Sequence, residues 1–223
     1  MIRESRYTGK VMVNIVTSSE TPELLKSLAE QLMKKIPAVS GVVNNINSRP
    51  AQIALGEKEI LLAGADSIEE KLGPFVFKIS ANSFFQTNSI QAEQLYNKVI
   101  EYAELKPEDI VWDLYAGTGT ISLFLAQQAK EVIGFELVES SVADAFSNAS
   151  EHDVTNVRFV AGDLLHRLQD TKPRPDVLVT DPPRAGMHEK VVRYILEVKP
   201  KRIVYVSCNP TTLALDLGIL KES

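Results

Sequence analysis

Cysteine is almost missing, with one residue, Cys208, in a chain of 223. A single thiol excludes an internal disulfide and a cysteine-ligated metal cluster, and it suits a reducing, cytoplasmic compartment. Histidine is nearly as scarce. His152, His166 and His188 show no ligand spacing of the H-E-x-x-H kind, so no metal site is expected. No apolar run approaches the roughly 20 residues that a membrane helix needs, and Met1-Ile2-Arg3-Glu4-Ser5-Arg6 lacks an apolar signal core. A basic surplus is lacking too: the net charge of −5 argues against a chain that grips a phosphate backbone over its whole surface. Any hold on nucleic acid must be local, and Arg3, Arg6, Lys10, Lys26, Lys34, Lys35 and Arg49 read mostly as a solvated face.

What is present is an ordinary globular composition, 44% hydrophobic and 24% charged, in a length that accommodates one medium and one small domain. Alternating apolar residues predict a strand over Gly9–Thr17, and helical spacing predicts a helix over Pro22–Ile36. Val42–Ile46, Glu59–Ala63 and Phe75–Ile79 read as further strands, punctuated by Ser48-Arg49-Pro50 and Leu72-Gly73-Pro74. Residues 1–89 are therefore expected to form a small α+β domain. From residue 90 the pattern alternates. Helices are predicted over Gln91–Ala103, Thr120–Gln128, Val138–Glu151, Glu189–Val198 and from Thr211, and strands over Ile110–Leu114, Val132–Phe135, Val157–Val160, Val177–Thr180 and Ile203–Val206. Such alternation predicts an α/β domain over residues 90–223, with a mostly parallel sheet and crossover helices.

Five strand ends carry chemistry-bearing residues, and an open α/β sheet gathers the carboxyl ends of its strands at one crevice. Asp113-Leu114-Tyr115-Ala116-Gly117-Thr118-Gly119 joins a strand to a helix, so its glycines let backbone approach a ligand. The third glycine of the dinucleotide motif and the lysine of a phosphate-binding loop are both missing, which disfavours nicotinamide and ATP. Glu136 ends the next strand, where a carboxylate accepts both hydroxyls of a ribose, and Asp163 ends the third, within reach of an adenine amino group or as a helix cap. Asp181-Pro182-Pro183-Arg184 and Ser207-Cys208-Asn209-Pro210 end the last two strands. A lone cysteine usually packs as a small hydrophobe; in this company Cys208 is the candidate nucleophile.

The order and spacing of Phe84-Phe85-Gln86-Thr87-Asn88, Asp113 to Gly119, Asp181 to Arg184 and Ser207 to Leu213 resemble the RNA uridine C5-methyltransferase family, within the class I, Rossmann-like S-adenosylmethionine-dependent methyltransferases. The resemblance implies S-adenosyl-L-methionine as cofactor, contacted by Gln86, Tyr115, Gly117, Gly119, Glu136 and Asp181, with Thr120 and Asp163 as further contacts. It implies Cys208 and Asp181 as catalytic residues, methylation of carbon 5 of a uridine, and an RNA partner, ribosomal RNA ahead of transfer RNA. A thiolate adding to carbon 6 of uracil makes carbon 5 nucleophilic enough to accept a methyl group. The target base has to leave its stack or lie in a loop.

The pattern also departs from the family. The resemblance implies later strands and a late glutamate base past Ser223, and an N-terminal barrel and iron–sulfur cluster ahead of Met1, so the sequence is expected to be a shortened or internal piece. Asp216 and Glu222 match no motif of that base, and Leu215 stands where the family often has arginine. With the sheet incomplete, the strand Ile203–Val206 is expected at an open edge that favours self-association. Two rivals remain open: an exocyclic amine methyltransferase, which needs no nucleophile, and a noncatalytic cofactor-binding or assembly module. In the amine enzymes the related motif ends in an aromatic that stacks on the base, whereas position 184 is arginine.

Overall fold

The computed structural model describes residues 1–20, 22–47 and 58–221; Ser48-Arg49-Pro50 and Glu222, singled out above, lie outside them. The chain divides into two units, Met1–Ile90 and Gln91–Ser223. The first contains β1 (Ile2–Glu4), β2 (Val11–Thr17), α1 (Pro22–Lys35), β3 (Val39–Ile46), β4 (Lys58–Gly64), β5 (Ser67–Leu72) and β6 (Phe75–Ser80). β2 and β3 run parallel, flanked antiparallel by β1 and β4. Leu25 and Ala29, one helical turn apart on α1, bury against Val39, Val42 and Leu62 of this sheet.

Two of these strands are not predicted from sequence. β1 has only three residues, too few to show a period. β5 alternates correctly, with Ile68, Glu70 and Leu72 facing inward, but a carboxylate at the middle inward position disguises it. Glu70 is tolerated there because its Oε2 accepts from Arg6 N at 2.7 Å and its Oε1 from Tyr7 N at 3.2 Å.

The second unit begins within α2 (Ser89–Ala103) and continues with β7 (Ile110–Leu114), α3 (Thr120–Ala126), β8 (Glu131–Glu136), α4 (Glu139–Glu151), β9 (Val157–Ala161), α5 (Leu164–Asp170), β10 (Val177–Thr180), α6 (Glu189–Val198), β11 (Arg202–Tyr205) and α7 (Pro210–Leu220). Its five strands are all parallel, in the order β11-β10-β7-β8-β9. The chain winds outward from β7 in one direction through β8 and β9, then returns to the other side for β10 and β11. The switch point thus lies between β7 and β10, where open α/β sheets place their ligands. β11 is an end strand of this order among the described residues.

Large side chains fill both faces of the sheet, so the central strands read as continuous apolar runs. Trp112 is fully buried, packs edge-on to Phe135 with ring centroids 5.2 Å apart, and donates its Nε1–H to Pro173 O at 3.1 Å. α5 escapes the sequence pattern because seven residues give barely two turns of periodicity. α7 starts one residue earlier than expected, with Pro210 in the first turn, where its missing N–H costs nothing. Among the described residues no helix is long and apolar enough to cross a membrane.

Candidate active site

The sheet register aligns Tyr115, Glu136 and Asp181 of the second unit on one rim. Leu114 pairs with Phe135 and Thr180, and Thr180 pairs with Tyr205. Tyr115, Glu136 and Asp181 each follow those positions directly, on strands spaced about 4.8 Å apart. Cys208 lies three residues past Tyr205, exposed, between the end of β11 and the start of α7.

The glycine segment leaves β7 with Tyr115 at φ 65°, Gly117 at 57° and Gly119 at 80°. A tyrosine in the left-handed region is strained by about 1–3 kcal/mol, and such strain is held where surrounding contacts over-determine the turn. Two contacts do so here. Ala116 N donates to Phe135 O at 2.9 Å, and Asn148 Nδ2 reaches back from α4 to Thr118 O at 3.0 Å.

The two glycines differ in purpose. A Cβ on Gly117 would meet nothing within 4 Å, so that position borders open space, whereas a Cβ on Gly119 would lie 2.8 Å from Phe159 Cζ and 3.1 Å from Ala145 Cβ. Gly119 therefore makes room for the core beneath the turn as well as starting α3.

Glu136 holds the rim together. Its Oε2 accepts from Gly117 N at 2.9 Å and its Oε1 from Val138 N at 2.8 Å, which leaves further lone pairs on both oxygens for a ligand. Beside it, Tyr115, Leu137, Asp163, Leu164, His166 and Val191 help to line a cavity of about 300 Å³. Asp163 borders this cavity and caps α5, accepting from Leu165 N at 2.9 Å. Asp181, half-buried at the end of β10, has its carboxyl pushed up to about 6 by desolvation.

Thr120 is not presented at this rim. The Thr120 hydroxyl is buried and donates to Tyr96 Oη of α2 at 3.2 Å. Gln86 belongs to the first unit, in the irregular stretch after β6, where Phe85 packs against Phe77 at 6.0 Å between centroids and Phe84 is 68% exposed.

The Asp181 and Cys208 segments are fastened to each other. Asn209 Nδ2 donates to Arg184 O at 3.0 Å, and Thr212 Oγ1 lies 3.3 Å from the same oxygen. Asn209 also caps α7, its Oδ1 accepting from Thr211 N at 3.1 Å, while its amide N–H donates to Ser207 Oγ at 3.0 Å. The thiol is thereby presented from a closed turn.

A strand-end glycine segment, an acidic residue on the neighbouring strand and a cysteine turn are the arrangement that the sequence motifs imply. The sequence model of the tRNA (uracil-5-)-methyltransferase family matches residues 5–223. The chain belongs to this family. Members similar to it include an uncharacterized RNA methyltransferase of Clostridium acetobutylicum, 42% identical over 225 residues, covering 100% of this chain and 49% of the relative. Another, of Chlorobaculum tepidum, is 46% identical over 222 residues, covering 97% of this chain and 46% of the relative. The chain spans about half the length of these curated relatives. Among solved structures, the tRNA (uracil-54, C5)-methyltransferase of Pyrococcus abyssi in complex with S-adenosyl-L-homocysteine superposes with a TM-score of 0.77 at 32% identity, covering 98% of this chain and 52% of that one.

Within this family member, the sequence motifs miss four side chains that support the rim: Tyr96, Asp113, Ser122 and Asp216. Tyr96 shows only as one of the buried residues Ala92, Tyr96, Val99 and Ala103 on α2, and burial pushes its hydroxyl up to about 12. Asp113 opens the glycine motif but carries no predicted role. It is fully buried; Ser122 Oγ donates to its Oδ2 at 2.5 Å, and its Oδ1 has no partner among the described residues. Desolvation first, then the nearby carboxylates of Asp181 and Glu136, pushes Asp113 up to about 7, against the opposing Ser122 hydrogen bond.

That shift has a measurable sign. Between its ordinary value of 3.8 and about 7, Asp113 holds its proton in the folded protein and loses it in the unfolded chain. Stability from this group is therefore complete below about pH 4 and falls as pH rises through 7. Asp113→Asn removes the titration, while the Asp181 shift stays in both proteins. The stability of the variant relative to wild type is expected to improve by about 4 kcal/mol from pH 4 to pH 8 in urea melts; a gap that stays flat over that range would contradict the assignment.

Proposed function

We propose that this chain carries the methyl-transfer site of an S-adenosylmethionine-dependent RNA uridine C5-methyltransferase, with Cys208 as the nucleophile. The observation that carries this reading is the register that sets Tyr115, Glu136 and Asp181 on one rim, with the exposed Cys208 turn fastened to the Asp181 turn through Arg184 O.

The residues fit the cofactor. Gly117 faces open space, Asp113 Oδ1 is a buried acceptor without a partner among the described residues, and the 300 Å³ cavity offers apolar walls beside a carboxylate. Glu136 would hold the ribose hydroxyls, Leu137 and Leu164 the faces of the adenine, and Asp163 its edge. Glu136 and Asp181 favour a cationic ligand through their field. Bound there, S-adenosylmethionine supplies an electrophilic methyl group.

Cys208 adds as thiolate to carbon 6 of the uracil, and the electron pair of the 5,6 double bond becomes an enolate across carbon 5, carbon 4 and oxygen 4. Carbon 5 of that enolate is the methyl acceptor. Loss of the carbon 5 proton then restores the double bond and expels the thiolate. Arg184 is exposed beside the cysteine turn and suits contact with a phosphate or a carbonyl oxygen. An amine-methylating site has no use for a nucleophile, so the cysteine turn separates the two readings.

Ribosomal RNA is the proposed target. The solved relative is a transfer RNA enzyme, so both kinds of loop belong in the test. The chain is mixed with S-adenosylmethionine and loop transcripts of either kind containing 5-fluorouridine, and its intact mass is measured under denaturing conditions. Fluorine at carbon 5 blocks the final elimination, so a persistent protein–RNA adduct is expected. Absence of any adduct with both loops would sink the proposal for this chain.

A further inference from the structure

One face of α7 grips the turn that carries Asp181 at two points. Asn209, Thr212 and Asp216 lie at i, i+3 and i+7, a single stripe along the helix. The first two converge on Arg184 O. Asp216, only 6% exposed, accepts through Oδ2 from Met187 N at 2.9 Å and from Tyr205 Oη at 2.6 Å. A carbonyl and an amide of the same turn are thus both held by α7. The approach is close enough to require glycine in between: Gly186 has φ 78°, and a Cβ there would sit 3.1 Å from Asp216 Oδ2.

Tyr205 is the last residue of β11, three before Cys208, so one carboxylate oxygen joins the strand that delivers the thiol to the turn that delivers Asp181 and Arg184. Burial, and then Asp216 itself, raises the Tyr205 hydroxyl above its ordinary phenol value, so it remains a donor at any working pH. No sequence motif assigns Asp216 a part.

We propose that Asp216 is a positioning residue that sets the register between the Cys208 turn and the Asp181–Met187 turn, so that thiol and carboxylate address one base. The inference rests on the uridine reading above. Two hydrogen bonds to a buried carboxylate hold the register, and removing the acceptor leaves a buried amide and a part-buried hydroxyl without that partner. An asparagine keeps one acceptor oxygen at the same place.

The test compares Asp216→Ala, Asp216→Asn and Tyr205→Phe with wild type. Hydrogen exchange at the Met187 amide is expected to quicken about tenfold or more in Asp216→Ala and to stay within about twofold in Asp216→Asn. At saturating 5-fluorouridine RNA, adduct formation is expected to slow about tenfold in Asp216→Ala and about threefold in Tyr205→Phe, with RNA affinity held within about twofold. Unchanged Met187 exchange in Asp216→Ala overturns the clamp, as does a loss confined to affinity. Should Asp216→Ala fail to fold, the rate ratio of Tyr205→Phe to Asp216→Asn decides, and equal rates overturn the proposal. Should wild type give no adduct, the uridine reading falls while the clamp is still judged by Met187 exchange and by the alkylation rate of the single cysteine, both unchanged if the clamp is wrong.

Discussion

Cys208→Ser is expected to abolish both the 5-fluorouridine adduct and methyl transfer to RNA, by at least about 10³-fold, because a serine hydroxyl is a far weaker nucleophile than a cysteine sulfur. Stability should hardly move. The side chain is exposed and replaced by one of nearly equal size, so the unfolding free energy should stay within about 0.5 kcal/mol of wild type. S-adenosylmethionine affinity should also persist, since the glycine segment, Glu136 and Asp163 stand at the ends of β7, β8 and β9, and the Cys208 turn follows β11. The pairing of full binding with no transfer is what distinguishes a lost nucleophile from a damaged fold. A variant that still methylates RNA at more than a tenth of the wild-type rate would favour the amine-methylating rival.

Gly119→Ala should damage the second unit severely for a single added methyl group. The residue sits at φ 80°, where an L side chain costs about 1–2 kcal/mol. Its Cβ would be driven to 2.8 Å from Phe159 Cζ. Phe159 has little freedom to retreat, because it is buried, packs edge-on to Phe146 at 5.4 Å, and already crosses the bare backbone of Gly134. Overpacking of this kind adds about 1–3 kcal/mol, so a total loss of about 3 kcal/mol is expected in urea or thermal unfolding. The displaced turn carries the Gly117 amide that Glu136 accepts, so cofactor affinity should fall at least about tenfold in calorimetry. Gly117→Ala shares the left-handed backbone cost but meets no atom, which makes it the control for strain alone. Equal losses from the two substitutions would show that Phe159 plays no part.

Elements were legible where an unbroken apolar run or a helical period marks them. The valine and isoleucine runs of β7, β8 and β10 and the helical spacing of α2 and α4 needed no partner to be recognised. Elements whose signal is short or contradicted were not. β5 hides a buried glutamate that only two distant amides make tolerable, and α5 has too few turns to show a face. Site residues divide in the same way. Glu136, Asp181 and Cys208 stand at strand ends in motifs, and residue type at a strand end already suggests chemistry. Tyr96, Ser122 and Asp216 lie inside helices, where a lone polar residue usually faces solvent, and only burial against a specific partner reveals its part.

Residue type and order along the chain were thus sufficient for the parallel sheet, the alternation with helices and the identity of the strand-end groups, since these follow from local periodicity and from the rule that crossover connections align strand ends. Which of those groups face one another is a property of strand order and register. It took the sheet to set Asp181 beside Tyr115 across 66 positions, to turn Gly119 toward Phe159 and Gly117 toward open space, and to bring Asp216 against Met187 and Tyr205. Contacts between residues distant in sequence depend on how buried surfaces pack together, and no local pattern carries that information.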